Sequence, residues 1–190
     1  MSFIRIYSFY YSVTVWLFLF VPLSIHLLNA EVLITKEKAL EMAYPDAESI
    51  EVKALIITDK NALDIQNKYK VNIPSRIISL NIARKDRIII GYSIVDTHTL
   101  RTKSQTIMVF INPDGQLNYV EILAFYEPPE YKASSGWLNL FRNKTKKDDL
   151  RTGHDMPNIS GATLTSNGTA EAVRRALAVF DFYIHGEKIN

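Results

Sequence analysis

The chain of 190 residues contains no cysteine. That single absence removes disulfides, iron–sulfur clusters, thiolate zinc sites and cysteine nucleophiles together. It also suits an oxidising compartment, where a stray thiol is a liability. A strong charge of either sign is missing as well. The 22 Lys and Arg stand against 20 Asp and Glu, a formal net charge of +2, which gives no reason to expect nucleic acid as a partner. The densest basic run, Arg142, Lys144, Lys146 and Lys147, is followed at once by Asp148 and Asp149. It reads as a solvated loop rather than a phosphate-binding patch. No internal repeat and no low-complexity stretch is present. His154 and Asp155 have no further ligand cluster around them, so no metal site is expected. Ser160, His98 and Asp155 could be combined on paper into a hydrolase triad, but no G-x-S-x-G elbow accompanies them. No catalytic set emerges.

Acids and bases are also scarce at the start of the chain. From Ser12 to Ala30 the only titratable side chain of that kind is His26, and Val13–Val21 is strongly apolar. Arg5 precedes the run and Ala30 closes it after Leu28-Asn29. Residues 1–30 therefore read as a signal peptide or an N-terminal membrane anchor, with residues 13–29 the part that enters the membrane. Pro22, the short apolar run and the switch to polar residues at Glu31 favour export with cleavage. Under either reading residues 31–190 form one domain on the periplasmic or extracytoplasmic side.

That domain reads as α+β, an antiparallel meander packed against helices. Thr35 is placed to cap a short helix containing Ala39, Leu40, Met42 and Ala43, which Tyr44-Pro45 ends. Residues 50–58 read as a strand and residues 59–69 as a helix with Leu63 and Ile65 inward. Four β-rich runs follow, at residues 75–83, 87–96, 105–112 and 116–125. Lys85-Asp86 is a tight link and Asn112-Pro113-Asp114-Gly115 a turn. Links this short cannot carry parallel crossovers. A short helix is expected around residues 135–141. A final helix is expected over residues 167–183, with Ala170, Val173, Ala176, Leu177 and Phe180 at helical spacing.

The segment Asn158–Gly168 carries the chemistry. Ser160, Thr163, Thr165 and Ser166 supply hydroxyls, Gly161 and Ala162 supply room, and the final helix begins directly afterwards. A helix start offers unpaired N–H groups and partial positive charge, which attract phosphate. Gly161 permits close backbone approach or a φ that other residues resist. Capping of the helix by Thr165 or Ser166 explains the same hydroxyls without a ligand.

The string SGATLTS, Ser160 to Ser166, resembles the FMN-binding domain family, whose members form part of the sodium-pumping NADH:quinone reductase and of the Rnf electron-transport complex. The resemblance extends to Val71–Arg76, Gly91-Tyr92, Asp96-Thr97-His98 with Arg101-Thr102, Asn112–Gly115 and Val120–Tyr131. It continues through Trp137-Leu138, Phe141 and the closing helix. It implies FMN as cofactor. In covalent members a flavin transferase uses FAD to attach FMN through its phosphate to the threonine of S-G-A-T, here Thr163, with Thr165 as the fallback acceptor. Such an ester needs a hydroxyl and no thiol. The backbone of Gly161, Ala162 and Leu164 would hold the phosphate end, and Ser160 and Ser166 would add donors. Covalent members commonly carry an acid three residues before the motif serine. Pro157 stands there, with Asp155 two residues earlier.

A flavin ring needs a flat, mostly apolar wall with a few polar groups. Phe125, Tyr126 and Trp137 are candidates, each balanced against ordinary core packing. Leu164 could touch the ring, and His98 could bond flavin or a redox partner. The tripeptides beginning at Asn143, Asn158 and Asn167 fit a glycosylation pattern, but two overlap the motif and all three are read as coincidence. The resulting expectation is an exported FMN carrier passing electrons between a membrane redox complex and another acceptor, without turnover of its own. Two alternatives stay open. One is a flavin sensor or structural flavin within a membrane assembly; the other is a flavin-free module that binds a phosphorylated ligand.

Overall fold

The computed structural model describes residues 31–186. The leader or anchor expected over residues 1–30 lies outside the described residues. Among the described residues, no helix is long and apolar enough to cross a membrane.

The first element is a two-residue strand, β1 (Glu31–Val32), which the sequence pattern does not announce. Helix α1 (Lys36–Ala43) follows, its first turn closed by Thr35, whose hydroxyl accepts the Lys38 N–H at 3.2 Å. Strand β2 (Ser49–Ile56) leads into α2 (Asp59–Tyr69), capped in the same way by Thr58 at 3.2 Å from the Asn61 nitrogen. The meander continues with β3 (Ile77–Lys85), β4 (Ile88–Thr99), β5 (Ser104–Ile111) and β6 (Leu117–Phe125). All pairings are antiparallel, in the order β1-β6-β5-β4-β3-β2. The fold is the expected α+β.

Several details differ from the pattern reading. Leu63 is exposed, whereas Ala62 and Ile65 are buried. Residues two apart on a helix cannot share a face, and the inward stripe runs through positions 62 and 65, three apart. The tight hairpin link is Asp86-Arg87 rather than Lys85-Asp86. Both residues have positive φ, 51° and 65°, which matches the two-residue turn that suits the twist of the strands. Strand β4 runs on to Thr99, so His98 pairs with Gln105 instead of sitting beyond the strand. Polarity hid this extension, because the hydrophobic alternation stops at Val95 while the backbone ladder does not.

The sheet is buried on both faces, but unequally. Residues 107, 109 and 111 of β5 join the large core with α2 and the C-terminal helix. Met108 and Phe110 join a smaller core with Ala39, Leu40 and Tyr44 around α1. Period-two alternation in which both sets are apolar produces the unbroken run Ile107–Ile111. Gly91 is required for the smaller core. A Cβ there would lie 2.3 Å from the Tyr44 ring, whose hydroxyl donates to the Tyr92 carbonyl at 2.6 Å. After β6 the chain forms the short helix α3 (Ser135–Leu138), capped by Ser134, and a long loop before the closing helix α4 (Thr163–Phe180).

Candidate functional site

Helix α4 begins at Thr163, four residues before the expected start at Asn167. The hydroxyl-rich motif is therefore partly the first turn of the helix rather than a loop ahead of it. The turn into it forms at Ser160-Gly161, where the Ala162 N–H reaches the Ile159 carbonyl at 3.0 Å and Gly161 has a φ of 74°. No atom lies within 4 Å of where a Gly161 Cβ would be, so the backbone conformation alone calls for glycine.

The intrahelical ladder starts with the Ser166 N–H, which donates to the Ala162 carbonyl at 3.1 Å. The N–H groups of Thr163, Leu164 and Thr165 precede it and have no acceptor one turn back. The N-cap is Ala162, and no side chain caps the turn. Neither Thr165 nor Ser166 acts as a cap. Ser166 is fully buried and its hydroxyl donates to the Thr163 carbonyl at 3.0 Å; Thr165 is 2% exposed. Ser160 and Thr163 are exposed, and Leu164 is half-exposed.

Beside this turn lies a hollow of about 170 Å³, lined by Gly161–Thr165 together with Arg101, Glu127 and Tyr131. All three fall within stretches that carry the resemblance, Arg101-Thr102 and Val120–Tyr131, but none was among the expected site residues. They arrive through the register of β5 and β6, in which Gln105 pairs with Phe125, so that residues 101–103 and 127 meet at one end of the sheet. Glu127 ties that end together. Its Oε1 accepts the N–H groups of Arg101, Thr102 and Lys103 at 3.2, 2.8 and 2.8 Å. The Thr102 N–H is the chief reason its carboxyl sits below the ordinary value; burial opposes this, and the N–H groups of Lys103 and Arg101 add to it. The carboxylate so held stays ionised, and the positive charge at the hollow is that of Arg101, stacked on the Tyr131 ring at 5.6 Å.

A second set of contacts fixes α4 to the sheet. Arg175 clamps Asp96 of β4 with two bonds, Nε to Oδ2 at 2.7 Å and Nη2 to Oδ1 at 3.0 Å. His98 Nδ1 meets the same carboxylate at 2.9 Å. Burial pushes the Asp96 carboxyl up, yet the bonds to His98 and Arg175 outweigh it and hold the group below its ordinary range. Gln105 donates to Thr169 at 2.9 Å. Gly168 allows close approach, since a Cβ there would lie 2.7 Å from Leu100 and 3.5 Å from His98 Nε2.

The other expected site residues fall elsewhere. His98 packs under the helix, and its buried Nε2 has no hydrogen-bond partner. Trp137 is 8% exposed, meets Phe141 edge to face and donates from Nε1 to the Pro157 carbonyl at 2.8 Å. Phe125 is in the large core. Tyr126 is half-buried, and its N–H donates to the Ser104 carbonyl at 3.1 Å. None of the four lines the hollow beside the motif. Asp155 accepts the Arg151 N–H at 3.0 Å and so closes its own loop.

The arrangement suits a phosphate. Three open N–H groups, a glycine turn and one free guanidinium converge on a hollow too small for a whole nucleotide-sized ligand, since pockets for those measure about 300–1,000 Å³. The phosphate end fits there, with the remainder of the ligand lying outward. None of the curated proteins compared with the chain matches it. Residues 103–178 match the model of the FMN-binding domain family. This segment, which carries the open helix start and the strands that bring Glu127 beside it, is an FMN-binding domain, with FMN as its cofactor.

Proposed function

We propose that this flavoprotein is an extracytoplasmic electron carrier whose FMN is esterified through its phosphate to Thr163. The observation that carries the assignment of the acceptor is the contrast within the motif. Thr163 is exposed at the first helical position, whereas Thr165, at 2% exposure, is packed away from any transferase. The flavin transferase takes the FMN unit from FAD. The Thr163 hydroxyl loses its proton as the new phosphoester forms, and AMP departs when the pyrophosphate bond breaks.

The N–H groups of Thr163, Leu164 and Thr165 would hold phosphate oxygens, with Arg101 offsetting their charge. Glu127 keeps Arg101 at the hollow by fixing the backbone of residues 101–103. Bound FMN supplies the redox chemistry, and the protein supplies binding, orientation and electrostatics. The electrons would come from a membrane redox complex, and export would follow from residues 1–30.

Pro157, in place of the acid found in covalent members, favours a second reading, in which FMN is held tightly without the ester. Acid precipitation of the protein co-expressed with a flavin transferase separates the two. Yellow colour kept in the pellet, with the intact mass raised by one FMN unit, supports the ester. The Thr163→Val variant is expected to lose that retained colour completely. Colour that leaves with the supernatant sinks the covalent assignment, and a colourless native protein sinks the carrier itself.

A further inference from the structure

The basic run ahead of Asp148 is more than a solvated loop. Lys146 and Lys147 form one wall of a second cavity of about 330 Å³, completed by Lys68 and Lys70 at the end of α2, by Arg151, and by Arg174 on α4. We infer that this cavity is a binding site for a small phosphate-bearing anion, separate from the FMN site.

Two carboxylates, Asp148 and Asp149, also line the cavity, and each is already paired with a cation. Asp148 accepts the Thr145 N–H at 2.8 Å and meets Lys144 at 3.3 Å. Asp149 pairs with Arg151 at 3.2 Å and with His154 at 3.3 Å. Lys146 and Lys68 lean towards buried Asp181, at 2.5 and 3.7 Å. Lys70, Lys147 and Arg174 have no carboxylate within ion-pair distance among the described residues. Three segments far apart in sequence thus bring cations without a direct ion pair to one concavity. Arg174 is held in place there, its Nη2 donating to the Lys70 carbonyl at 3.2 Å. Burial and the nearby Arg151 disfavour its charge and outweigh the more distant Asp149, Glu171 and Asp155, which favour it. A bound anion would relieve that repulsion, and a guanidinium with two ammonium groups suits phosphate oxygens.

The shape argues for a compact ligand. The cavity falls at the small end of ligand pockets, about 300–1,000 Å³, and Val71, Leu150 and Leu177 give it apolar walls. It is also remote from the flavin phosphate. Arg174 lies eleven residues beyond Thr163, about 16 Å along the helix at 1.5 Å per residue.

The test is titration calorimetry of the full-length, flavin-loaded protein with inorganic pyrophosphate at low salt, repeated on flavin-free protein so that the result does not depend on the FMN reading. Saturable binding is expected, weakened by about tenfold or more in a Lys147→Ala/Arg174→Gln double variant, with its flavin content and melting temperature unchanged. A separate Lys70→Ala variant is expected to weaken binding too. Co-sedimentation with phosphatidylglycerol vesicles distinguishes the source of the phosphate. Absence of pyrophosphate binding, equal affinity in the variants, or binding to vesicles alone overturns the small-anion site.

Discussion

Helices α1, α2 and α3 begin on Thr35, Thr58 and Ser134, and each of these hydroxyls accepts an N–H from the first turn. Helix α4 begins on Ala162 with no cap, although hydroxyl residues crowd its start. Alanine is among the poorer N-caps, and replacing a Ser or Thr cap by alanine costs about 0.5–2 kcal/mol. The helices that only support the sheet satisfy their own first turn; the helix that carries the phosphate site leaves its donors open. The hydroxyls of Thr163, Thr165 and Ser166 lie inside the helix, past the cap position that Ala162 occupies. Ser166 bonds back to Thr163, and Thr165 is buried.

That contrast can be broken from either side. The largest effect is expected from Ala162→Asp, which puts a carboxylate where the phosphate is to sit. Flavin retained per protein, read by absorbance, should fall by about tenfold or more, whereas the neutral Ala162→Asn, of matching size, should retain more. Equal losses would mean bulk rather than charge is responsible. Gly161→Ala comes next. Its φ of 74° costs a non-glycine residue about 1–2 kcal/mol, so chemical denaturation of the flavin-free protein should show a loss of about that size, although space for the methyl group is free.

Thr58→Ala is the opposite test, since it makes α2 resemble α4. Chemical denaturation should show a loss of about 1 kcal/mol with flavin content untouched. The smallest effect concerns Glu127→Gln and is confined to acid. The carboxyl of Glu127 is depressed below its ordinary 4.5 in the folded protein. Its stabilising contribution is therefore complete above that value and is lost as pH falls through the lowered folded value. Denaturation curves of wild type and variant should differ at neutral pH and converge as the pH drops well below 4.5. A gap that stays constant with pH would show that the charge of Glu127 does not hold the 101–103 turn.

Much of the fold was legible because its signals are local. The Thr35 cap, the turn at Asn112–Gly115 and the period of the strands each depend on a few neighbouring residues. The C-terminal end of β4 was not legible, since Thr97 and Thr99 pair through their backbones and leave no hydrophobic alternation. Half of the candidate site shared that fate. SGATLTS could be read as a phosphate-binding string, but the place of Arg101, Glu127 and Tyr131 beside it could not. They stand some 30–60 positions away in sequence and meet the motif only because the β5–β6 register brings the two chain ends together.

The sequence by itself determined that a hydroxyl-rich glycine turn opens onto the last helix of an α+β domain, because residue type and spacing decide local backbone geometry. Only the tertiary structure decided which hydroxyl stays accessible, which cation faces it and where a second cluster of cations converges. Burial and charge proximity are properties of surfaces brought together across the sheet, and no stretch of chain carries them alone.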